Sequence, residues 1–343
     1  MARTQGGTAV FLQNRDFFGA MVVHVPLFDA LRRAAPGRPI VAYSPFERGR
    51  VFESLGLADE TCVYTTTGGS LWSHVRERKF DAVVLLRPQS FGLTALLSTA
   101  GAKRTLGYRT ALSKLVFTHT IRRDTRIYRA RNYTDLIAGD VEIPPFREGV
   151  ERLAERSLQR VESGAVVLMP CGSEARKLWG ERNFVALAQR LVDQDPATRF
   201  TLVLGGNEAR YVELFAQAGL GDRTSALVDG SLADIARTVL AARIVVANDC
   251  GPSHVAQLSG VPLVLLFGNW DGAARARIDE WFDPRMSARC LTTSEIAPIE
   301  SIEVVDVLTA TECASNESRG SSVNASAAAE RIVEITTATK RTS

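Results

Sequence analysis

The sequence has no apolar run approaching the length that crosses a bilayer. It also lacks a leading basic patch, apolar stretch and small-residue cleavage site; MARTQGG leads straight into a strand-like segment. A cytoplasmic protein, at most peripheral at the inner face of a membrane, is the expectation. A large charge of either sign is missing too. The formal net charge is only +3, so bulk electrostatics give no argument for a nucleic-acid partner. The 5 cysteines (Cys62, Cys171, Cys250, Cys290, Cys313) form no C-x-x-C pair, which excludes the usual zinc and disulfide frameworks and fits reduced thiols. No G-x-G-x-x-G turn follows the first strand, where Phe11-Leu-Gln-Asn-Arg stands, and this excludes a dinucleotide-dependent dehydrogenase.

What remains is a globular composition, 45% hydrophobic and 23% charged, over 343 residues, enough for two domains. Short apolar runs alternate with helical patterns, as parallel sheets wrapped by helices require. The predicted strands of the first half are Ala9–Leu12, Ile40–Tyr43, Thr61–Tyr64 and Ala82–Leu86. Helical patterns lie between them at Val22–Arg33, Glu47–Leu55, Leu71–Arg78 and Phe91–Thr99. In the second half the strands are Ala165–Met169, Phe200–Leu204, Ile244–Ala247 and Leu263–Phe267. The helices there are Phe184–Val192, Glu208–Gln217, Leu232–Ala241 and His254–Leu258. Gly139–Gly149, with Pro144 and Pro145, reads as the linker. The expected plan is an α/β fold of two Rossmann-like domains, 1–145 and 146–312, facing each other across a cleft. A flexible tail, 313–343, follows, with a terminal helix at Ala329–Thr336.

Three segments carry chemistry. In Ile244-Val-Val-Ala-Asn-Asp-Cys-Gly-Pro-Ser-His254 a buried strand ends, a tight turn follows, and a helix opens with Pro252 in its first turn. The free amides and dipole of such a helix suit a diphosphate, and Gly251 lets the backbone approach it. Asp249 either accepts hydrogen bonds from sugar hydroxyls or caps the helix; His254 either faces the ligand or packs in the core. In Met169-Pro-Cys-Gly-Ser-Glu-Ala-Arg-Lys-Leu-Trp179, Gly172 and Ser173 offer donors and Lys177 can neutralise a departing diphosphate. The bland alternative is a solvated Arg176-Lys177 loop with Trp179 anchored in the core. In Leu204-Gly-Gly-Asn-Glu208 the backbone can approach a base while Glu208 meets ribose hydroxyls, unless the glycines form only a turn.

Taken together, K-x-W, then strand-G-G-x-E, then N-D-C-G-P-S-H and a strand ending in Phe267-Gly268 resemble the heptosyltransferase family, glycosyltransferase family 9. Arg15-Asp-Phe-Phe-Gly-Ala through Pro26 to Ala30-Leu-Arg32 resembles that family's opening. The likeness runs from about Val10 to Leu308. It implies the GT-B fold and an inverting, metal-independent transferase without a cofactor. That enzyme would move a sugar, heptose foremost, from a nucleotide-diphosphate donor such as ADP-heptose. The implied acceptor is a glycan or glycolipid such as a lipopolysaccharide core. By position, the resemblance gives the donor site Gly172, Ser173, Lys177, Glu208, Asp249, Cys250, Gly251 and His254, and the acceptor site Arg15 and Ala20.

Three departures stand out. The family's catalytic Asp is Ala20 here, and a methyl group accepts no proton. If the segment is helical, Asp16 and His24 share a face with Ala20, and either could serve as base beside Lys177 and Asp249. Otherwise Asp16 is a loop carboxylate and His24 a packed ring. Cys250 replaces a Thr, and Gly268-Asn-Trp-Asp-Gly272 replaces a Gly-Pro-Thr loop. A catalytically silent binding homologue, or an epimerase or hydrolase of the same fold, are the rival readings. Asp193-Gln-Asp195 is spelled like a metal-binding D-x-D but sits at a polar helix end, so surface charge is expected. The basic run Arg104, Arg109, Lys114, Arg122, Arg123, Arg126, Arg129 and Arg131 would suit an anionic acceptor or lipid surface, or else a solvated face with ion pairs.

Overall fold

The computed structural model describes residues 6–12, 18–64, 69–86, 91–110, 113–138, 146–283, 288–319 and 332–335. The chain divides into two compact units, Met1–Pro145 and Phe146–Ser343. In the first, β1 (Thr8–Phe11), β2 (Ile40–Ser44), β3 (Glu60–Val63), β4 (Ala82–Leu85), β5 (Arg104–Tyr108) and β6 (His119–Ile121) form one sheet in the order β3-β2-β1-β4-β5-β6. In the second, β7 (Val166–Met169), β8 (Phe200–Leu204), β9 (Thr224–Val228), β10 (Ile244–Asn248), β11 (Leu263–Leu266), β12 (Ala288–Thr293) and β13 (Ile332–Ile335) stand in the order β13-β12-β11-β10-β7-β8-β9. Every pairing in both sheets is parallel. Each unit is therefore a doubly wound, Rossmann-like α/β domain.

The central strands are apolar from end to end because helices cover both faces; every residue of β2, β8 and β10 is buried. The core of the second unit gathers Val166, Leu168, Phe184, Leu202, Val246, Val264 and Val307 around Trp179. The Trp179 indole lies edge-on to Phe184 and donates to the Ile302 carbonyl at 2.8 Å. Helix ends follow local chemistry. Ser231 and Asp234 form a reciprocal capping box for helix Leu232–Ala241. Gly260, at φ 71°, closes helix Gly251–Ser259 in the left-handed conformation that glycine adopts without strain.

Three sequence expectations are corrected. The single helix Val22–Arg33 is two, Phe18–Val22 and Val25–Ala34. Pro26 has no N–H to give the preceding turn, so it sits in the first turn of a new helix instead. The reading of Gly139–Gly149 as linker fails over its last residues. Phe146–Ala154 is a helix burying Phe146, Gly149, Val150, Leu153 and Ala154; residues 139–145 lie outside the described residues. The flexible tail is also ordered in part: helix Val304–Arg319 runs through Cys313, and Ile332–Ile335 is a strand, not a helix. Its Ile-Val-Glu-Ile sequence is β-branched at three of four positions and pairs with Cys290–Thr293 of β12.

Among the described residues no helix is long and apolar enough to cross a membrane. The basic run is not one face. Arg104 opens β5 and Arg109 follows its far end, Arg126 pairs with Asp124 at 3.0 Å, and Arg129 is buried. The Lys114 side chain lies outside the described residues. Asp195 takes the Ala197 amide at 3.0 Å just beyond its helix and Arg243 at 3.5 Å, a surface role.

The packing around Trp179 makes Trp179→Ala a severe change in the second unit. The expected loss is about 3–5 kcal/mol of its unfolding free energy, read by urea denaturation; an unchanged midpoint would contradict the indole's role as anchor.

Candidate functional site

In the second sheet the connections reverse direction between β7 and β10, and a doubly wound sheet binds ligands outside the carboxyl ends at such a point. The loop after β7 and the turn after β10 emerge there side by side, since Met169 pairs with Ala247. Asn248 ties them together. Its buried carboxamide donates to the Pro170 carbonyl at 2.7 Å and the Cys171 carbonyl at 3.4 Å, and its oxygen accepts the Trp179 amide at 3.3 Å. Held this way, Lys177 Nζ meets Asp249 Oδ2 at 2.7 Å, with the two side chains only 21% and 13% exposed. Gly172 sits close against its own loop: a Cβ there would lie 2.8 Å from Leu178 Cδ2, which would have to shift. Ser173 is exposed on the same loop.

Helix Gly251–Ser259 begins beside this ion pair. Cys250 precedes it, buried, and no side chain caps the helix. Asp249 is thus not the cap; its carboxylate is engaged by Lys177. The Gly251 and Ser253 amides open the helix with Pro252 between them, and the Ser253 hydroxyl turns back to the Cys250 carbonyl at 2.6 Å. Burial first, then the adjacent Cys171 thiol, holds the Cys250 thiol well above its ordinary range. It stays a neutral, weakly polar group beside the helix start. His254 is the core residue of the two alternatives: it is buried, stacked on Phe282 at 4.7 Å and tilted against Trp281.

A second cluster stands at the ends of β8 and β9. Glu208 folds back so closely that a Cβ on Gly205 would lie 2.8 Å from its Oε2. Asp229, which sequence reasoning missed, accepts the Gly206 amide at 2.8 Å and adopts a positive φ of 50°. The only advance signal was its position in an Asp-Gly-Ser turn before a helix. Two carboxylates and two glycines therefore line this edge.

The Gly268–Gly272 loop is rigid. Buried Asn269 donates to the Thr293 carbonyl at 2.9 Å. Trp270 lies 4.6 Å from the Arg176 guanidinium and 3.9 Å from that of Arg277, and Arg277 also pairs with Asp271 at 2.7 Å. Gly268 has no room for a side chain, because a Cβ would come 2.8 Å from the Trp270 ring.

In the first unit Ala20 is buried in its short helix. Arg15 and Asp16 lie outside the described residues. The expectation that His24 serves as base is corrected. The helix breaks between Ala20 and His24, and the imidazole is fully buried, stacked on Tyr133 at 4.7 Å and edge-on to Phe52. Burial drives it from 6.5 down to about 3, and the Arg129 charge adds to the fall.

Two Rossmann-like units, one with a lysine and an uncapped helix start at its topological switch point, define a doubly wound α/β protein with a place suited to an anion. The chain belongs to glycosyltransferase family 9 (heptosyltransferase), whose model matches residues 69–275, more than half of it. It is a glycosyltransferase. No curated protein matches it by sequence. Among solved structures it is similar to E. coli ADP-heptose lps heptosyltransferase II, at 17% identity and a TM-score of 0.63, covering 91% of this chain and 99% of that one. A glycosyl transferase of family 9 from Veillonella parvula DSM 2008 gives 18% and 0.65, covering 92% and 99%. E. coli heptosyltransferase WaaC with ADP-2-deoxy-2-fluoro heptose gives 16% and 0.66, covering 89% and 99%. These likenesses establish the shared fold.

The buried His24 sets a pH dependence. Its folded value lies below the unfolded one, so the native state binds fewer protons and the stabilisation is present above 6.5. Stability should fall as pH drops from 6.5 toward 3, by up to about 1.4 kcal/mol per pH unit. His24→Phe, which keeps the stack, should flatten that slope in urea denaturation between about pH 4 and 7; an identical slope in the variant would refute the assignment.

Proposed function

We propose that this chain transfers a sugar, a heptose foremost, from a nucleotide-diphosphate donor of the ADP-heptose type to a glycan or lipopolysaccharide-core acceptor, with inversion at the anomeric carbon. The observation that carries the reading is the Lys177–Asp249 pair beside the uncapped start of helix Gly251–Ser259. The bound ADP-2-deoxy-2-fluoro heptose of the similar E. coli heptosyltransferase supports the donor class.

In this reading the departing diphosphate takes charge-assisted hydrogen bonds from Lys177 Nζ and from the Gly251 and Ser253 amides. Gly172 leaves its loop close enough for backbone contact, with the Ser173 hydroxyl beside it. Once Lys177 turns to phosphate, Asp249 is released to accept hydrogen bonds from sugar hydroxyls. Glu208, with Asp229 across from it, receives the ribose hydroxyls. Cys250 supplies close packing where a hydroxyl would donate, and His254 acts through its stack on Phe282, which fixes the helix. Lysine and amides neutralise the leaving group without a metal, and no cofactor is required.

The acceptor side belongs to the first unit. Neither Ala20 nor buried His24 can take the acceptor's proton, which leaves Asp16 as the base of this reading and Arg15 as its acceptor-side residue. A cytoplasmic enzyme working at the inner membrane surface is consistent with a glycolipid acceptor. A second reading has one observation in its favour: Ala20 stands where the family carries its base. A silent homologue would bind donor and never turn it over.

Thermal shift with ADP-, GDP-, UDP- and dTDP-sugars tests the donor site. ADP-heptose or ADP should raise the melting temperature, and Lys177→Ala and Asp249→Ala should each weaken binding on the order of 10- to 100-fold. Loss of the shift in neither variant would overturn the site. No shift with any nucleotide would overturn both readings, and binding without sugar transfer favours the silent one.

A further inference from the structure

Away from the switch-point site, the edge strand β3 of the first sheet carries a second cluster. Glu60 and Cys62 stand two residues apart and so share a face of the strand. His74 reaches that face from the helix Gly69–Arg78, which follows β3. A carboxylate oxygen, the Cys62 sulfur and a His74 ring nitrogen all lie within 4.8 Å of one another. The sulfur is 3.5 Å from Nδ1 and 3.8 Å from Nε2. Tetrahedral zinc, with bonds of about 2.0–2.3 Å, sets its sulfur, nitrogen and oxygen ligands roughly 3.3–3.6 Å apart. The Sγ–Nδ1 distance has that value, while the similar distance to Nε2 sets the sulfur off the lone pair of either nitrogen, so both the imidazole and the carboxylate turn on binding an ion.

Two further features fit a cation. Arg78, one helical turn beyond His74, grips Glu60 with bonds of 2.6 and 2.8 Å. Both contacts come from a single nitrogen, so the carboxylate is held in place and keeps lone pairs for another partner. Tyr43 pairs with Cys62 across β2 and β3, and its ring meets His74 edge-on at 5.8 Å. Its hydroxyl is buried with no hydrogen-bond partner among the described residues.

We propose that Cys62, His74 and Glu60 form a binding site for a zinc-class divalent cation, with Arg78 orienting Glu60, that staples the edge strand β3 to the helix Gly69–Arg78. On binding, the Cys62 thiol gives its proton to solvent and the thiolate bonds the metal. Thiolate and carboxylate offset the ion's charge, and with Arg78 on Glu60 the occupied site keeps one positive charge in excess. The site has no part in the transfer chemistry; it fastens the strand that has a neighbour on one side only.

The full chain, stripped with EDTA, is titrated with CoCl2 and followed by absorbance. The wild type should show a thiolate-to-cobalt charge-transfer band that saturates at one ion per chain and is displaced by ZnCl2. Cys62→Ser should abolish the band, and His74→Gln should weaken binding at least about tenfold. ZnCl2 should raise the melting temperature of the wild type and of neither variant. No band in the wild type overturns the proposal, and so does an equal band in Cys62→Ser, which would place the ion on another cysteine. Should Cys62→Ser fail to fold, the wild-type titration and His74→Gln decide the matter.

Discussion

One buried carboxamide holds the candidate donor site together. Asn248 ends β10, donates to the carbonyls of Pro170 and Cys171 beyond β7, and accepts the amide of Trp179. A group so enclosed is costly unless bonded, so the two loops cannot part without stranding it. Trp179 passes the constraint on: its indole reaches the Ile302 carbonyl, just before helix Val304–Arg319. The Lys177–Asp249 pair is thus set by the core of the second unit. An ion pair on free surface loops would spend entropy to meet, whereas these two side chains meet on a scaffold already fixed.

Around His24 the interior is aromatic, with Tyr133 stacked on it, Phe52 at its edge and Phe28 stacked on Phe52. The imidazole there is a flat, neutral ring in a hydrocarbon setting, and Arg129 nearby favours that neutrality. The second unit repeats the device with His254 stacked on Phe282, and its Trp270 also meets two cations, Arg176 and Arg277. This arrangement fixes a guanidinium one residue from Lys177, at the place where the loop departs from the family's usual spelling.

Much of the fold was legible because buried parallel strands are unbroken apolar runs, as in Ala9–Phe11 and Ile244–Ala247. Strands of mixed polarity were not. β9, on the edge of its sheet, exposes Ser225 and Ala226, and β5 begins with an arginine inside a basic run that drew attention to charge alone. The donor motifs were readable since glycine, proline, lysine and aspartate at those spacings carry their own chemistry. Asn248 was not: from sequence it is merely the last residue of a strand, and its three bonds exist only between loops distant along the chain. His24 misled because a periodicity argument ran across Pro26, which starts a new helix. Asp229 escaped because its turn follows the strand that was itself missed.

The strand Ile332–Ile335 lies against β12, at the far edge of the second sheet from β9. A parallel ladder left open along Cys290–Thr293 would offer bare amides and carbonyls to any extended chain that drifted past, including another copy of itself. The four residues Ile332–Ile335 pair with that ladder and become the sheet's border in its place. They act as a selvage: a border of 4 residues offers fewer bare groups than the 6 of β12 would, and this duty falls on residues far in sequence from the candidate donor site.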